Sequence, residues 1–243
     1  MGSAMGLAIG FAVGATGIGG IVLVPFLTLA LGIDVQRAIA AALVSYIPSG
    51  LVAVWLYARR GSIRGRMALP LVIASSPAAF LGAVAAGKAP AGLLEALIGL
   101  IMLLGGINGL WPRKEAVETR MPGPPVLAGL GGITGFLAAM TGAGGALILM
   151  PLLMLYEAPV LLSIGLGQSI ALPIATVATI TNLSHGAVDV EIALMLAVSL
   201  SVGIAIGTPV AHALPQAVLK GVLSAMIVVL GLAMLARLAW RWM

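Results

Sequence analysis

Long apolar runs separated by short clusters of charged residues make up almost the whole chain. The charge-free runs cover residues 1–33, 38–58, 67–87, 96–112, 121–156, 158–184, 192–219 and 221–236. One helical crossing of a bilayer needs about 20 apolar residues, and most of these runs have that length once their loop ends are removed. The pattern therefore predicts an all-α polytopic membrane protein with about eight hydrophobic segments.

A glycine-rich motif occurs twice, as Thr-Gly-Ile-Gly-Gly at residues 16–20 and as Thr-Gly-Ala-Gly-Gly at residues 141–145, which is 125 positions later. The same offset relates Phe11 to Phe136, Pro48 to Pro173, Gly61 to Gly186, Gly82 to Gly207, Pro90 to Pro215 and Gly106 to Gly231. Because glycine and proline determine where a chain turns, their recurrence indicates a repeated structural unit. We predict two tandem homologous modules of four segments each, module one at 1–111 and module two at 126–243, joined by a loop linker at 112–125.

The first and fifth runs are too long for a single crossing, since they span 33 and 36 residues. Each contains the glycine motif near its middle. Membrane transporters place such interruptions at binding sites, and a long apolar segment otherwise has to tilt or kink. The first segment of each module is therefore predicted to be broken or re-entrant at its Gly-rich motif.

Composition supports a membrane location in a multi-pass arrangement. Apolar residues make up 61% of the chain and charged residues 8%, whereas an average soluble domain has about 25% charged residues. The net charge of +5 is assigned to loops that set orientation and meet anionic lipid, so no nucleic-acid partner is predicted. The chain has no cysteine, and no cofactor or metal is predicted. A cluster of His185, Asp189 and Glu191 with His212 is only a weak candidate for metal or acid–base chemistry.

Orientation follows from the positive-inside rule, which places the loop with Arg59, Arg60, Arg64 and Arg66 in the cytoplasm. Beyond the linker the rule leaves two arrangements open. If the fifth segment crosses fully, the loop with His185 is cytoplasmic. If the first and fifth segments dip in and return, the modules are inverted, and both this loop and the basic tail face outward.

Paired breaks within a membrane are candidate binding sites, because unsatisfied backbone survives there only beside protein or a water-filled cavity. Glycines let backbone amides approach a ligand, and the amides that begin the following half-helix attract anions. Thr16 and Thr141 add a hydroxyl at each break, although each could instead bond to a carbonyl one turn earlier. The alternative is that these glycines only allow close helix packing.

The two copies, at residues 10–20 followed by Pro25 and at residues 135–145 followed by Pro151, resemble the sulfite exporter TauE/SafE family of membrane permeases. A Gly-(Ser/Ala)-(Ile/Val) element at 61–63 and 186–188 extends the resemblance over nearly the whole chain. The resemblance implies transport of small sulfur-containing or carboxylate anions such as sulfite or sulfoacetate.

The modules depart from the family pattern at the start of their second spans. A small-residue Gly-Thr-Ser element is usual there, but module two has Gly-Gln-Ser at 167–169 and module one has Ala-Leu-Val-Ser at 42–45. Polar side chains such as Gln168 and Asn182 are costly in an apolar span without a partner. They share a helix face but lie about 21 Å apart, so only Gln168 is a candidate for ligand contact. The predicted substrate-binding residues are Thr16, Gly17, Gly19, Gly20, Thr141, Gly142, Gly144, Gly145, Gln168, Ser169 and Ser45.

A secondary transporter for small organic or sulfur-containing anions is the predicted function, with the anion held by backbone amides at the paired breaks near the midplane. The alternative is an intramembrane enzyme or a membrane assembly or scaffold protein, but titratable groups at membrane depth, which an enzyme needs, are nearly absent. The predicted partners are the anionic substrate and the lipid bilayer of a bacterial-type cell membrane. Whether a proton or a sodium ion drives transport, and whether the protein forms a homo-oligomer, are questions that the sequence leaves open. Glu95 and Lys220, at matching positions, either pair across the module interface or reach toward the lipid headgroups.

Overall fold

A computed structural model describes residues 2–16, 19–110, 121–154, 156, 158–184, 190–211 and 216–242. Within these ranges all regular structure is helical. Helix α2 covers residues 19–30 and is composite, with a 3₁₀ turn at Gly19–Val22, an α turn at Leu23–Pro25 and a π turn at Phe26–Ala30. The other helices are α1 Gly2–Thr16, α3 Val35–Arg59, α4 Gly65–Lys88, α5 Ala91–Leu110, α6 Pro124–Thr141, α7 Gly145–Met154, α8 Val160–Ser184, α9 Val190–Ala211 and α10 Gln216–Trp242.

Six helices in the described part of the chain are long and apolar enough to cross a membrane, namely α3, α4, α5, α6, α8 and α9. Shorter apolar stretches lie in α1, α2 and α10. Large apolar side chains such as Leu69, Ile73 and Val198 are exposed on the outside of the bundle. Lipid tails, unlike water, solvate such a surface well, so the all-α membrane architecture expected from the sequence is observed.

The second glycine motif coincides with an interruption of helical structure, and the first lies where described helical structure changes from α to 3₁₀, with residues 17 and 18 outside the described residues. In the second copy α6 ends at Thr141, and Gly142 adopts a left-handed conformation with φ of +66° while its N–H donates to the Ala138 carbonyl. Gly144 is also left-handed, with φ of +74°, a region that side chains other than glycine rarely occupy. In the first copy α1 ends at Thr16 and the 3₁₀ turn of α2 begins at Gly19.

The closest helix packing joins the N-terminal and C-terminal halves of the chain. Helix α4 packs on α6 and α8, α1 and α3 pack on α9, and α5 packs on α10. Glycines permit the closest approaches, since a Cβ at Gly82 would overlap the Phe136 carbonyl and a Cβ at Gly207 would overlap the Phe11 carbonyl. These two contacts are equivalent under the 125-residue offset. Small residues have the role here that they commonly have between membrane helices.

Contact positions also fix the relative directions of the helices. Gly92 near the start of α5 meets Leu238 near the end of α10, while Gly106 near the end of α5 meets Val228. These two helices are therefore antiparallel. The contacts of α3 and α8 show that these helices are antiparallel as well. Gly50 meets Leu172, whereas Ser62, just after α3, meets Gly165.

Helix α1 runs parallel to α9, in contrast to these pairs. Gly10 lies against Leu200, and Gly14, one turn later, lies against Ile204. Helices α4 and α6 are parallel in the same way, since Gly131 meets Leu71 and Gly135 meets Ser75.

Candidate functional site

A cavity lies where the two interrupted segments meet. The empty space there, including its open mouth, is about 430 Å³. Helices α1, α2, α3, α7, α8 and α9 contribute to its wall together with the turn between α6 and α7. The lining residues are Val13, Gly20, Tyr46, Ser49, Gly50, Ala143, Gly144, Gly145, Ala146, Gln168, Ala171, Leu200 and Ile204.

The residues at the start of α7 and in the turn before it lie at this cavity. The first N–H groups of a helix have no partner inside the helix, and they carry a partial positive charge. Residues 143–146 form this end of α7 and line the cavity. No atom lies within 4 Å of the position that a Cβ of Gly144 would occupy, so the backbone there faces open space. The arrangement is suited to binding an anion.

Gln168 faces the same space from α8. Its side chain is 4% exposed and lines the cavity, and no described residue forms a hydrogen bond with its amide. A buried amide without a partner is unfavourable, so a ligand or water in the cavity would satisfy it. Helix α8 packs closely against α7. A Cβ at Gly145 would lie only 2.8 Å from Ile170 and 3.1 Å from the Gly167 carbonyl.

Tyr46 connects the two breaks across the cavity. Its hydroxyl donates to the Gly20 carbonyl and lies 3.2 Å from the Gly142 carbonyl. A phenol has one proton, so a single donor faces two acceptors, one from each glycine motif. Tyr46 was not among the predicted site residues. Its position next to Ser45 in the middle of an apolar span was the signal that could have indicated it, since a buried tyrosine hydroxyl usually needs a partner.

The predicted site residues fall into several groups. Gly20, Gly144, Gly145 and Gln168 line the cavity, and Gly142 contributes the carbonyl near Tyr46. Three hydroxyls bond to their own helices instead: Thr141 donates to Leu137 at 2.7 Å, Ser169 to Gly165 at 2.8 Å and Ser45 to Ala42 at 2.7 Å. For Thr16 and Gly19 only the helical backbone is described, and Gly17 lies outside the described residues.

Ionic side chains are absent from the cavity wall, as far as the structure describes it. Arg60 donates to the Thr208 carbonyl at 2.7 Å, and Arg237 donates to the Thr28 carbonyl at 2.9 Å. Both arginines thus bond carbonyls near the ends of helices, where a cation is favourable. Neither is among the residues that line the cavity.

Glu95 is buried, with 5% of its surface exposed, and lies in the first turns of α5. The antiparallel packing of α5 on α10 places Gly106, near the end of α5, opposite Ser224. Residue 220, one turn before Ser224, is therefore level with the far end of α5, more than about 16 Å along the helix from Glu95. A direct pair between Glu95 and Lys220 is excluded by this distance.

No group of three potential metal ligands occurs among the residues that the structure describes. His185, Asp189 and His212 lie outside those residues, and Glu191 is an exposed residue in the first turn of α9.

Comparison with known proteins gives one result. The family model of the sulfite exporter TauE/SafE matches residues 3–234. The chain belongs to this family. The resemblance noted in the sequence is thus confirmed over nearly the whole chain, and the TauE/SafE protein is a multi-pass membrane protein of a transporter family. No individual curated protein or solved structure is significantly similar to it.

Proposed function

We propose that this TauE/SafE protein is a secondary transporter for small organic or sulfur-containing anions such as sulfite, sulfoacetate and small carboxylates. The observation that carries the proposal is the convergence of both glycine motifs on one cavity. Gly20 comes from the first motif and residues 143–145 from the second, and Tyr46 lies between them. Backbone amides at the start of α7 and the amide of Gln168 bind the anion there.

The two modules are proposed to be inverted repeats. Helix α8 begins and ends 125 residues after α3, at 160 and 184 against 35 and 59. These matching helices are antiparallel, and so are the matching helices α5 and α10. Equivalent elements that run in opposite directions are related by a two-fold axis in the membrane plane, which is the symmetry of many secondary transporters.

Each glycine motif then forms the tip of a re-entrant hairpin. Helices α3 and α9 run in the same direction, since α9 follows α8 after a short connection and α8 is antiparallel to α3. Because α1 is parallel to α9, it is also parallel to α3, and α2 between them has to return to the side from which α1 entered. The Tyr57 hydroxyl bonds the Gly14 carbonyl at 3.0 Å, whereas Tyr46, three turns earlier in α3, bonds Gly20. This order agrees with a chain that turns back at the motif.

The inverted arrangement places the loop with Arg59 and Arg60 in the cytoplasm and the C-terminal tail outside. The tail is basic, which the positive-inside rule disfavours. The structure supplies a reason to accept it, because the guanidinium of Arg237 already donates to the Thr28 carbonyl near the end of α2. That charge serves an internal contact and contributes less to orientation.

Transport would proceed by alternating access, with one hairpin and its supporting helices moving against the other around the bound anion. Tyr46 joins the two moving parts through two carbonyls, so any relative movement of the hairpins has to change its hydrogen bonds. A proton or sodium ion as the coupling species remains part of the proposal without an assigned residue.

Uptake of labelled sulfite into proteoliposomes tests the function. The purified protein should give saturable uptake that an excess of an unlabelled small monocarboxylate such as acetate competes for. Gln168→Ala should reduce uptake at low substrate concentration at least tenfold, because it removes the cavity-facing amide. Ser169→Ala is the matched control, since its hydroxyl bonds the Gly165 carbonyl and it does not line the cavity. Equal effects of the two substitutions would contradict the proposed site, and a lack of saturable uptake of every anion tested would contradict the function.

A further inference from the structure

The part of the cavity wall that the structure describes is electrically neutral. All the described residues that line it carry apolar or uncharged polar side chains. Among these described residues, attraction for an anion comes from dipoles, namely N–H and O–H groups. A site that binds a multiply charged oxyanion usually adds arginine, lysine or a metal ion to such dipoles.

The neutral donors are also few, because two of the three polar side chains use their hydrogen within the protein. The Tyr46 hydroxyl donates to the Gly20 carbonyl, and the Ser49 hydroxyl donates to the Ser45 carbonyl at 2.8 Å. The remaining donors are the amide of Gln168, which is 4% exposed and has no partner among the described residues, and the amides at the start of α7. The Gly142 carbonyl near Tyr46 adds negative potential.

The cost of moving an ion out of water rises with the square of its charge, whereas its attraction to fixed dipoles rises only in proportion to that charge. A set of dipoles that compensates the desolvation of a monoanion therefore falls short for a dianion of similar size. We propose that the cavity selects singly charged oxyanions, which narrows the proposed substrates: sulfite is bound and carried as hydrogen sulfite, and sulfoacetate, which carries two charges at neutral pH, is disfavoured. This inference rests on the proposed transport of anions and adds the charge state of the substrate.

Equilibrium binding to the purified protein tests this inference, with the same pH on both sides if liposomes are used. Sulfite converts between its singly and doubly charged forms near neutral pH, whereas methanesulfonate stays singly charged and sulfate stays doubly charged. The apparent affinity for total sulfite should rise as the medium is made mildly acidic, in proportion to the fraction of hydrogen sulfite. The affinity for methanesulfonate should stay constant, and sulfate should bind at least tenfold more weakly than methanesulfonate.

Three results would overturn the inference: sulfate binding as tightly as methanesulfonate, sulfite affinity independent of pH, or a parallel pH dependence for methanesulfonate, which would point to titration of the protein. If one of these three results is obtained and the protein still transports sulfite, the charge selectivity is wrong but the proposed function still holds. If sulfite and methanesulfonate are neither bound nor transported, the proposed function itself is wrong.

A charge introduced at Gln168 provides a second test. Gln168→Lys should raise the affinity for sulfate relative to methanesulfonate at least tenfold, because a cation then faces the cavity. Gln168→Met has a similar length without the charge, and it should leave the preference for methanesulfonate unchanged. An unchanged preference in a correctly folded Gln168→Lys protein would count against the inference. If that variant does not fold, the comparison of the three anions on the wild-type protein decides.

Discussion

Gly144→Ala should impair transport far more than its effect on stability explains. The backbone at Gly144 has φ of +74°, and an L-residue in the left-handed region costs about 1–2 kcal/mol. The added methyl group meets no atom within 4 Å, so steric overlap contributes nothing. The expected loss of folding free energy is therefore about 1–2 kcal/mol, and it comes from backbone strain alone.

The same strain acts directly on the proposed anion site. The turn relieves it by rotating the peptides around residue 144, which changes the direction of the amides at the start of α7. Loss of one hydrogen bond to a charged ligand costs about 1.5–3 kcal/mol, which corresponds to a rise in apparent KM of roughly tenfold to hundredfold. Uptake of labelled sulfite into proteoliposomes over a range of concentrations measures this rise.

Gly61→Ala is a matched control for strain. Gly61 has φ of +69°, and its Cβ position is also free of atoms within 4 Å. It lies in the turn between α3 and α4, and it is not among the residues that line the cavity. Thermal unfolding in detergent should shift similarly for both variants, whereas only Gly144→Ala should raise KM. An unchanged KM for Gly144→Ala, or an equal rise for Gly61→Ala, would refute the assignment of the amides.

Three further outcomes are expected. Single cysteines at Ser62 and Ala187, introduced into this cysteine-free chain, should react with an impermeant reagent from opposite sides of the membrane, and labelling from the same side would exclude inverted modules. Gly82→Ala should lower the unfolding temperature, because its methyl group overlaps a backbone carbonyl of α6 at a cost of about 1–3 kcal/mol. Gly132→Ala should leave the unfolding temperature unchanged, because the space around its Cβ position is open. Similar shifts for the two variants would contradict the packing of α4 on α6. Tyr46→Phe should destabilise the protein by about 1–3 kcal/mol because it leaves buried carbonyls without their donor, and an unchanged unfolding temperature would argue against the bridge.

The sequence was sufficient to predict the helices because the bilayer restricts what an apolar run can become. Charge-free runs indicated where apolar helices form, and the glycine motif at 141–145 marked the interruption between α6 and α7. The direction of the helices could not be derived in this way. It depends on which faces pack together, such as Gly10 against Leu200, and this information lies in contacts between residues that are far apart in the chain.

Prediction of the site depended on the type of group involved. The glycines of the motifs and Gln168 could be selected from the sequence. A break in a helix and an amide side chain in an apolar span both leave polar groups that need a hydrogen-bond partner. Hydroxyls were harder, since Thr141 and Ser169 satisfy themselves within their own helices, and a sequence does not show which acceptor a hydroxyl will choose. Tyr46 was not selected because its partners, Gly20 and Gly142, come from different glycine motifs and meet only in the folded protein.

The partner of α1 is synthesised late. Gly10 and Gly14 at the N-terminal end of the chain rest against Leu200 and Ile204 of α9, nearly two hundred residues later. During insertion at the translocon, α1 therefore enters the bilayer with its glycine face uncovered, and it stays so until most of the polypeptide has left the ribosome. A chain that ends before α9 would lack this cover, so early termination should yield a product that membrane quality-control proteases remove.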